Sequence, residues 1–435
     1  MKKQSYDAVI IGSGMGGMCA GALLAHSGYK TLVVEKLPLL GGRCSTMEYK
    51  GFKIGTGAVY ISADGPISQV FQEVGIEFDV RPIPPGQQRY RIGGKAYQPP
   101  PKGVMKYLIS QVGDEAEMKR VMDAIRRGLQ WEEPSDTIST REWFLQYTHN
   151  EHILGIFQGI ISSMLTINAD ELSAGEFIRY LKWADKIRNF GHPPKGFENL
   201  MGSLAEVIRE RGGDVWTLCR AKQILVADGG VKGVRVQKEG DMVEVDAGVI
   251  ISNAGPKHTV ELAGNENFDK GYLTELKETL RPTPLVWITF SSDRPLIDYA
   301  GPMFVTDARR VNAIFCPSMI CPEVAPAGKH LFYSGGAPLN SLAPFKAGEE
   351  IEQNLQDLRE ILPGFDQYAE ILLVQCFRGD WPVFRTWPGY QLPLKTPVEN
   401  LYNVGDATLP PGSSGTGGSA ESAQLVVEEI KRRGV

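Results

Sequence analysis

Residues 7–17 are Asp-Ala-Val-Ile-Ile-Gly-Ser-Gly-Met-Gly-Gly, and this stretch decides the fold. The run at 8–11 is continuously apolar and mostly β-branched, which is typical of a strand buried on both faces. An Ala- and Leu-rich run at 18–26 predicts a helix, and residues 31–35, Thr-Leu-Val-Val-Glu, predict a second strand. The amino end is therefore expected to be a strand–helix–strand unit with parallel strands and a right-handed crossover.

The glycines between the first strand and the helix have the spacing of a dinucleotide-binding fingerprint. Gly12 allows a tight turn, Gly14 allows the backbone to approach a pyrophosphate, and Gly17 allows the helix and the strand to pack closely. Free N–H groups at the helix start would bind the phosphates. Glu35 ends the second strand, where it would accept hydrogen bonds from ribose hydroxyls and repel a 2′-phosphate. We therefore predict a bound dinucleotide.

Composition excludes several classes of protein. The chain has 435 residues, of which 42% are hydrophobic and 22% charged, as in an ordinary globular protein of two or three domains. Its 46 Lys+Arg and 51 Asp+Glu give a net charge of -5, so nucleic acid is not an expected partner. The six cysteines contain no CxxC pair and the six histidines no HExxH motif, so no metal site is predicted.

No targeting or membrane-spanning segment is predicted. The amino-terminal apolar run is too short for a signal peptide, and no apolar stretch approaches the roughly 18 residues that a spanning helix needs. We therefore expect a cytoplasmic protein. The segment Lys102–Val112 alternates lysine with apolar residues. It is either a solvated helix or a peripheral membrane contact that admits a lipophilic substrate.

The chain changes character near residue 80. A proline-rich break and several helical patterns precede a series of short strands, which argues for a second region beside the nucleotide-binding unit. Ser173 and Glu176 precede an apolar-periodic run and predict a capping box. Helices are expected near 102–128, 139–166, 173–188, 199–211, 347–362 and 416–432, and strands near 214–218, 222–227, 231–238, 243–251, 285–290, 330–333 and 401–404.

A second glycine motif, Leu40-Gly-Gly-Arg43, closely follows the second strand. Together with the first motif it resembles FAD enzymes of the glutathione-reductase-like superfamily. The stretch 41–57 is similar to the opening of phytoene desaturases and carotenoid isomerases, which are relatives of the flavin amine oxidases. The similarity continues over most of the chain, from residue 6 to 430. The resemblance implies that FAD is the cofactor.

A third motif near the carboxyl end supports this resemblance. Asn403-Val-Gly-Asp406 predicts a strand that ends in Gly-Asp, which in this superfamily meets the ribityl and phosphate region of the flavin. The helix after residues 410–418 would point its N-terminus at the isoalloxazine and stabilise reduced flavin. Residues 415–420 also mimic a second dinucleotide fingerprint, but they follow a proline-rich turn instead of a buried strand. A separate NAD(P) domain is therefore not expected.

The motifs and the resemblance together give the expected cofactor contacts. In this family a backbone group in the strand near Ala221 touches the adenine. The cofactor-binding residues that we predict are Gly12, Gly14, Met15, Gly16, Gly17, Glu35, Lys36, Gly42, Arg43, Gly57, Ala58, Val59, Ala221, Asn253, Ala254, Gly405, Asp406, Gly417, Gly418 and Ser419.

Residues that act on the substrate carry a weaker signal, because a flavin supplies the redox chemistry itself. Tyr60 follows a glycine turn near the expected flavin. Four aromatic residues within 381–390 either line an apolar pocket beside the flavin or belong to the ordinary core. Arg385 either anchors a substrate carboxylate or forms an ion pair. The predicted catalytic residues are Tyr60, Arg385, Trp387 and Tyr390, and the aromatic set also includes Trp381 and Phe384.

These features predict an α/β protein, with a Rossmann-type FAD-binding domain of the glutathione-reductase-like kind and a discontinuous α+β substrate domain. The FAD-binding domain should comprise residues 1–80, 190–265 and 390–435. The substrate domain, with a helical insert, should comprise residues 81–189 and 266–389.

The expected function is FAD-dependent oxidation that removes two hydrogens across a C–C bond of an apolar or alicyclic small molecule. A flavin amine oxidase is the alternative enzyme, and the family also includes isomerases and saturases. Some relatives of the fold are non-catalytic carriers of prenylated proteins, which do not need the pyrophosphate-binding glycine loop or the Gly-Asp segment, and this chain keeps both. The chain is shorter than typical carotenoid desaturases, so a smaller terpenoid-like substrate is as open as a long polyene. Oxygen, a quinone and other electron acceptors all stay open.

Overall fold

The fold is described from a computed structural model, which covers residues 4–187 and 189–434. The strands are β1 Gln4–Ile11, β2 Thr31–Val34, β3 Thr46–Tyr49, β4 Phe52–Gly55, β5 Ile61–Ser62, β6 Arg81–Pro82, β7 Arg89–Ile92, β8 Lys95–Tyr97, β9 Phe190–His192, β10 Asp214–Trp216, β11 Cys219–Ala227, β12 Gly230–Lys238, β13 Asp241–Ser252, β14 Leu285–Ser292, β15 Met303–Val305, β16 Val311–Phe315, β17 His330–Gly336, β18 Ala369–Phe377 and β19 Leu401–Asn403. The helices are α1 Met15–His26, α2 Pro66–Glu73, α3 Val104–Val112, α4 Glu115–Gly128, α5 Thr140–Leu145, α6 Glu151–Leu165, α7 Ala174–Ala184, α8 Phe197–Glu210, α9 Pro256–Ala263, α10 Lys270–Thr279, α11 Ala347–Ile361, α12 Phe365–Tyr368 and α13 Gly415–Arg433.

The first sheet contains the amino-terminal strand–helix–strand unit. Its strand order is β10, β2, β1, β13, β12, β11, and β19 also pairs with β13. β1 runs parallel to both β2 and β13, with α1 between β1 and β2 in the chain. β11, β12 and β13 form an antiparallel meander at one side of the sheet. The predicted Rossmann-type α/β fold is confirmed.

Helix α1 packs tightly because its contact residues are small. A Cβ added to Gly21 would lie 3.0 Å from side-chain atoms of both Val33 and Ile208, so only glycine lets α1 approach β2 and α8 this closely. At its amino-terminal end α1 meets α13, where a Cβ on Gly16 would lie 3.1 Å from the carbonyl oxygen of Ser419. The starts of α1 and α13 therefore lie next to each other.

The second sheet has two different faces. Its strand order is β18, β14, β17, β16, β15, β7, β8. Val286 and Ile288 of β14 pack in one core with Leu358 of α11, whereas Trp287 packs in another core with Val59. Side chains alternate between faces along a strand, so the face that carries Trp287 looks toward the segment that follows β4. Helices α3 to α7 form a further core that reaches Tyr90 of β7.

The two sheets are built from interleaved parts of the chain. The first sheet uses strands within 4–34, 214–252 and 401–403, and the second uses strands within 89–97 and 285–377. The domain limits given above stay a prediction.

Two of the expected helices are broken. The stretch 102–128 forms α3 and α4, because Gly113 is extended and Asp114 caps α4 by accepting the Glu117 N–H at 2.7 Å. The stretch 139–166 forms α5 and α6, and Asn150 caps the second of them. Side-chain caps start a new helix wherever the backbone has left the helical path, and the periodicity of apolar residues carried no sign of either break.

The expected capping box at Ser173 is half wrong. Ser173 does cap α7, since its Oγ accepts the Glu176 N–H at 3.0 Å. The carboxylate of Glu176 does not return to Ser173. It is buried, and it accepts from Arg179 at 2.6 Å and from the backbone N–H of Gly412 at 2.9 Å. Glu176 therefore ties α7 to the turn that precedes α13.

Among the described residues, no helix is long and apolar enough to cross a membrane. The segment Lys102–Val112 contains α3, which buries Leu108 and Ile109 against the helical core. Within the described ranges no group of histidine, cysteine or acidic side chains is arranged to hold a metal ion.

Candidate active site

The turn between β1 and α1 has the geometry that its glycines predict. Gly12 has a φ of +96°, a left-handed conformation that favours glycine. A Cβ on Gly17 would overlap the carbonyl oxygen of Gly12, so close packing of the helix on the strand requires glycine there. Met15, Gly16 and Gly17 form the first turn of α1, where the backbone N–H groups have no partner within the helix.

Gly14 has a reason to be glycine that the sequence did not reveal. Its φ is −63°, which any residue adopts, but a Cβ there would overlap the terminal amide of Asn253. A Cβ on Gly405 would collide with the same amide. With its carboxamide oxygen turned toward Gly14, Asn253 accepts the Gly14 N–H at 3.0 Å and donates to Val404 O at 3.2 Å. One side chain thus joins the ends of β1, β13 and β19.

Glu35 lies buried at the end of β2. One of its carboxylate oxygens accepts from the backbone N–H and the hydroxyl of Ser13, both at 2.8 Å, and the other accepts the Leu37 N–H at 2.8 Å. The second oxygen keeps an acceptor site, as a ribose hydroxyl requires. The start of β11, the strand of Ala221, lies beside it because Cys219 N–H donates to Glu35 O. Lys36 points outward and is exposed.

The second glycine motif lies opposite the turn between β1 and α1. We call the space between the two loops, from Gly14 to Gly42, the cradle. Gly41 N–H donates to Ser13 O at 2.9 Å, which fastens this loop to the β1–α1 turn. Gly42 has a φ of +58°, and a Cβ on it would meet only the Gly14 Cα, at 4.0 Å. The space between Gly14 and Gly42 is therefore open and lined by backbone, which suits a pyrophosphate.

Asp406 lies between two arginines. Arg43 donates from both terminal nitrogens to the Asp406 carboxylate, each at 2.8 Å. Arg385 donates its backbone N–H at 2.8 Å and its Nη1 at 2.7 Å to the same carboxylate. A carboxylate offers about four acceptor sites, so the protein fills all of them. The side chain of Asp406 thus holds two arginines, and the guanidinium of Arg385 is paired with it instead of open to a substrate carboxylate.

This cluster of Arg43, Asp406 and Arg385 carries one uncompensated positive charge. Burial alone would raise the pKa of Asp406, but the charges of the two arginines outweigh burial and hold that pKa well below its usual range. Arg43 also donates to the carbonyl oxygens of Pro382 and Val383, at 2.7 and 2.5 Å. A fixed positive cluster beside the cradle favours an anionic ligand.

Tyr60 lies beyond the Arg43 loop, in an aromatic cluster on the second sheet. Ala58 N–H donates to Arg43 O at 2.9 Å, and a Cβ on Gly57 would lie 2.7 Å from that oxygen, so this segment packs on the arginine loop. The Tyr60 hydroxyl donates to Ala300 O at 3.3 Å, which leaves the ring as the part that can face a ligand. We call the set Tyr60, Trp287, Phe315 and Tyr333, whose neighbouring rings lie 5.5 to 5.9 Å apart, the aromatic wall.

The aromatic residues predicted at 381–390 do not form one pocket. Trp381 packs with the aromatic wall, whereas Trp387 packs with the helical core. The Trp387 and Tyr390 rings lie 5.9 Å apart, and the guanidinium of Arg281 stands 3.8 Å from the Tyr390 ring and 5.1 Å from the Trp387 ring. This pair is therefore already occupied by a cation of the protein itself.

The start of α13 completes the site. Gly415 has open space around it, whereas a Cβ on Gly417 would lie 3.3 Å from the Trp183 ring and one on Gly418 would collide with Ser413. Ser422 Oγ accepts the Gly405 N–H at 3.0 Å and links α13 to the end of β19. The first N–H groups of α13 carry a partial positive charge. That they face a flavin stays a prediction.

These features define a class: a Rossmann-type dinucleotide-binding protein in which a second sheet meets the end of the cofactor cradle, as in flavin-dependent oxidoreductases. The family model for flavin containing amine oxidoreductases matches residues 15–431. The chain belongs to this family, its cofactor is FAD, and the resemblance to phytoene desaturases is confirmed.

Several relatives span nearly the whole chain. An uncharacterized protein of Methanocaldococcus jannaschii is 26% identical over 412 residues, which is 94% of each chain. The 15-cis-phytoene desaturase of Capsicum annuum is 24% identical over 457 residues, 98% of this chain and 77% of that one. An oxidoreductase of Methanosarcina mazei has a TM-score of 0.86 at 26% identity, over 97% of this chain and 99% of that one. Putrescine oxidase, at 16% identity and a TM-score of 0.72 over 99% of this chain and all of that one, shares the fold.

The residues of this chain fit FAD. Glu35 would hold the ribose, and the backbone of the two glycine loops would hold the pyrophosphate, with the positive charge of Arg43 near it. The start of α13 would face the isoalloxazine, which accepts a hydride when FAD is bound. These assignments, with Val59, Ala221, Ala254 and Ser419 beside them, stay predictions. Sequence reasoning missed His192, a buried histidine against Tyr60. His192 lies between two predicted helices, in a stretch for which the sequence predicted no element, and it is the last residue of β9.

Proposed function

We propose that the protein is a desaturase, which removes two hydrogens across a C–C bond of an apolar or alicyclic small molecule. Bound FAD would supply the hydride acceptor. The aromatic wall is the observation that supports this most directly, because its two half-buried rings, Tyr60 and Phe315, would offer an apolar, polarisable surface to a hydrocarbon substrate, with Trp287 and Tyr333 packed behind them. Burial raises the pKa of Tyr60 most, and the thiols of Cys316 and Cys321 and the hydroxyl of Tyr333 raise it further. All three of these groups are neutral at physiological pH.

A flavin amine oxidase is the second candidate, and the structural neighbour putrescine oxidase is the observation in its favour. Amine oxidation requires a place for an ammonium or amine group, such as an aromatic cage or a free carboxylate. The Trp387 and Tyr390 pair already holds Arg281, and Asp406 already holds two arginines. These two candidate amine sites are therefore occupied, which favours the desaturase.

Anaerobic reduction of the bound flavin tests the proposal. The holoenzyme is mixed without oxygen with phytoene, squalene or limonene, and separately with putrescine or benzylamine, while the yellow absorbance of the flavin is followed. We expect bleaching by at least one hydrocarbon and a product two hydrogens lighter by mass spectrometry. Bleaching by an amine with release of an aldehyde, and none by any hydrocarbon, would overturn the proposal in favour of an amine oxidase.

A further inference from the structure

His192 lies at the junction between the aromatic wall and the cofactor loops. Its ring stands edge-on to Tyr60, with centroids 6.3 Å apart at 87°, and its other neighbour is Phe197 at 5.3 Å. Phe197 N–H donates to Thr46 Oγ1 at 2.8 Å, next to the second glycine motif. Both ring neighbours are thus tied to segments that we expect to contact the flavin.

The tautomer of His192 is determined by its hydrogen bond. Nδ1 lies 2.9 Å from Pro193 O, and a carbonyl oxygen only accepts, so Nδ1 carries the proton. In the neutral ring Nε2 then bears a lone pair, and it has no hydrogen-bond partner among the described residues. The ring is 2% exposed. A nitrogen with a free lone pair, in a buried residue beside an apolar wall, is able to accept a proton.

The other titratable groups packed around His192 cannot accept a proton. The pKa values of Tyr60, of the Cys321 thiol, which touches His192 O, and of Cys316 are all raised by burial, so these groups stay protonated. Arg81 of the neighbouring strand β6 is a permanent cation whose guanidinium is paired with Glu323. Burial also lowers the pKa of His192 to about 4, which keeps its ring neutral at physiological pH.

We propose that His192 Nε2 accepts the proton that the substrate loses during oxidation. The inference rests on the proposed function. One C–H bond gives its hydrogen and both electrons to the oxidised flavin. The adjacent C–H bond gives its proton to Nε2, and its electron pair becomes the second bond of the new C=C. The proton passes from Nε2 to water after the product leaves. A weak base suffices because loss of the hydride makes the adjacent C–H bond strongly acidic.

The paired variants His192→Asn and His192→Gln test this. Asparagine places an amide N–H near the position of Nδ1, so it retains the bond to Pro193 O without a base, and glutamine places a non-basic amide near Nε2. We expect the rate of anaerobic flavin reduction to fall about a hundredfold in both, within the range of general base catalysis, with FAD content unchanged. His330→Gln is the control, because His330 is a half-buried histidine whose pKa is also lowered but which lies outside the wall.

Two further readouts separate a chemical role from a structural one. Nitrogen NMR of the holoenzyme should show His192 as the neutral Nδ1–H tautomer between about pH 5 and 8, and limonene should shift its Nε2 signal. The reduction rate of the wild type should decline only as the pH approaches about 4, and the variants should lack this decline. A variant that reduces flavin at the wild-type rate, or a charged imidazolium at neutral pH, overturns the inference. If no hydrocarbon reduces the wild type, the proposed function has failed, and the NMR result still decides the state of His192.

Discussion

The side chain of Asn253 occupies the space that a methyl group on Gly14 would need. Gly14 is the N-cap of α1 and has an extended backbone conformation that any residue can adopt, so its backbone does not require glycine. The requirement comes from Asn253, which bridges Gly14 N–H and Val404 O. The glycine of the fingerprint thus serves the protein's own architecture as well as the approach of a pyrophosphate.

Gly14→Ala should weaken FAD binding roughly 5- to 150-fold. The added methyl group overlaps the Asn253 amide, and overpacking of this kind costs about 1–3 kcal/mol. Equilibrium titration of the apoprotein with FAD measures the change. Gly202→Ala is the matched control, because a Cβ there meets nothing within 4 Å and should raise the free energy of unfolding slightly. The double variant Gly14→Ala, Asn253→Ala should recover part of the loss; equal loss in single and double variants would locate the clash elsewhere.

Glu35→Gln should weaken FAD binding by about 1–3 kcal/mol, the scale of a hydrogen bond to a charged group. The free acceptor site on the carboxylate is what we expect the ribose to use. Ser13→Ala is the control, since it removes one hydrogen bond to Glu35 but leaves the carboxylate intact. Fluorescence quenching of FAD on binding gives both affinities. Equal effects of the two variants would mean that Glu35 only supports the loop.

Arg385→Met should lower the free energy of unfolding of the apoprotein at neutral pH by about 1–2 kcal/mol, because Asp406 loses one charge-assisted hydrogen bond while it keeps those from Arg43. The native pKa of Asp406 is depressed, so the stability that it provides is complete above the unfolded pKa of about 3.9 and is lost as the pH falls below it. The difference in the free energy of unfolding between the wild type and the variant should therefore become smaller at acidic pH. Urea unfolding at several pH values measures it. The control Arg378→Met removes an exposed arginine and should change little.

Gly417→Asp should lower the reduction potential of the bound flavin by about 20–40 mV, since a charge at a helix terminus is worth about 1–2 kcal/mol and 30 mV corresponds to 1.4 kcal/mol for two electrons. Gly417→Ala separates charge from bulk, because its Cβ presses on the Trp183 ring without adding charge. Spectroelectrochemistry measures both potentials. Equal potentials in wild type, Ala and Asp variants would show that α13 does not face the flavin.

Sequence reasoning succeeded where the physical cause is local. The turn at Gly12, the packing at Gly17 and the buried acid at Glu35 depend on neighbours within one strand–helix–strand unit, and a fixed spacing describes them. The strand predicted near 285–290 is equally local, and it forms β14. Helix breaks at Gly113 and near Asn150 were missed because caps compete with a continuous apolar period.

The rest of the site depends on partners that are distant in the chain. Arg43 and Asp406 are separated by 363 positions. The carboxylate of Glu176, which was expected to cap α7, accepts instead from the backbone N–H of Gly412, 236 positions away. No spacing rule connects such residues. His192 was missed because a single histidine in a short strand forms no periodic pattern. Its contacts with Tyr60 and Pro193 can be recognised only in the structure.

The ion pair between Arg43 and Asp406 joins a segment that is synthesised early to one that is synthesised late. A ribosome finishes the first glycine motifs early, but β19, Asp406 and α13 emerge among the last parts of the described chain. Until then, Arg43 lacks its carboxylate and β13 lacks its neighbour β19. We therefore expect flavin binding to wait until β19 and α13 have been synthesised, and we expect a product truncated before residue 401 to be colourless.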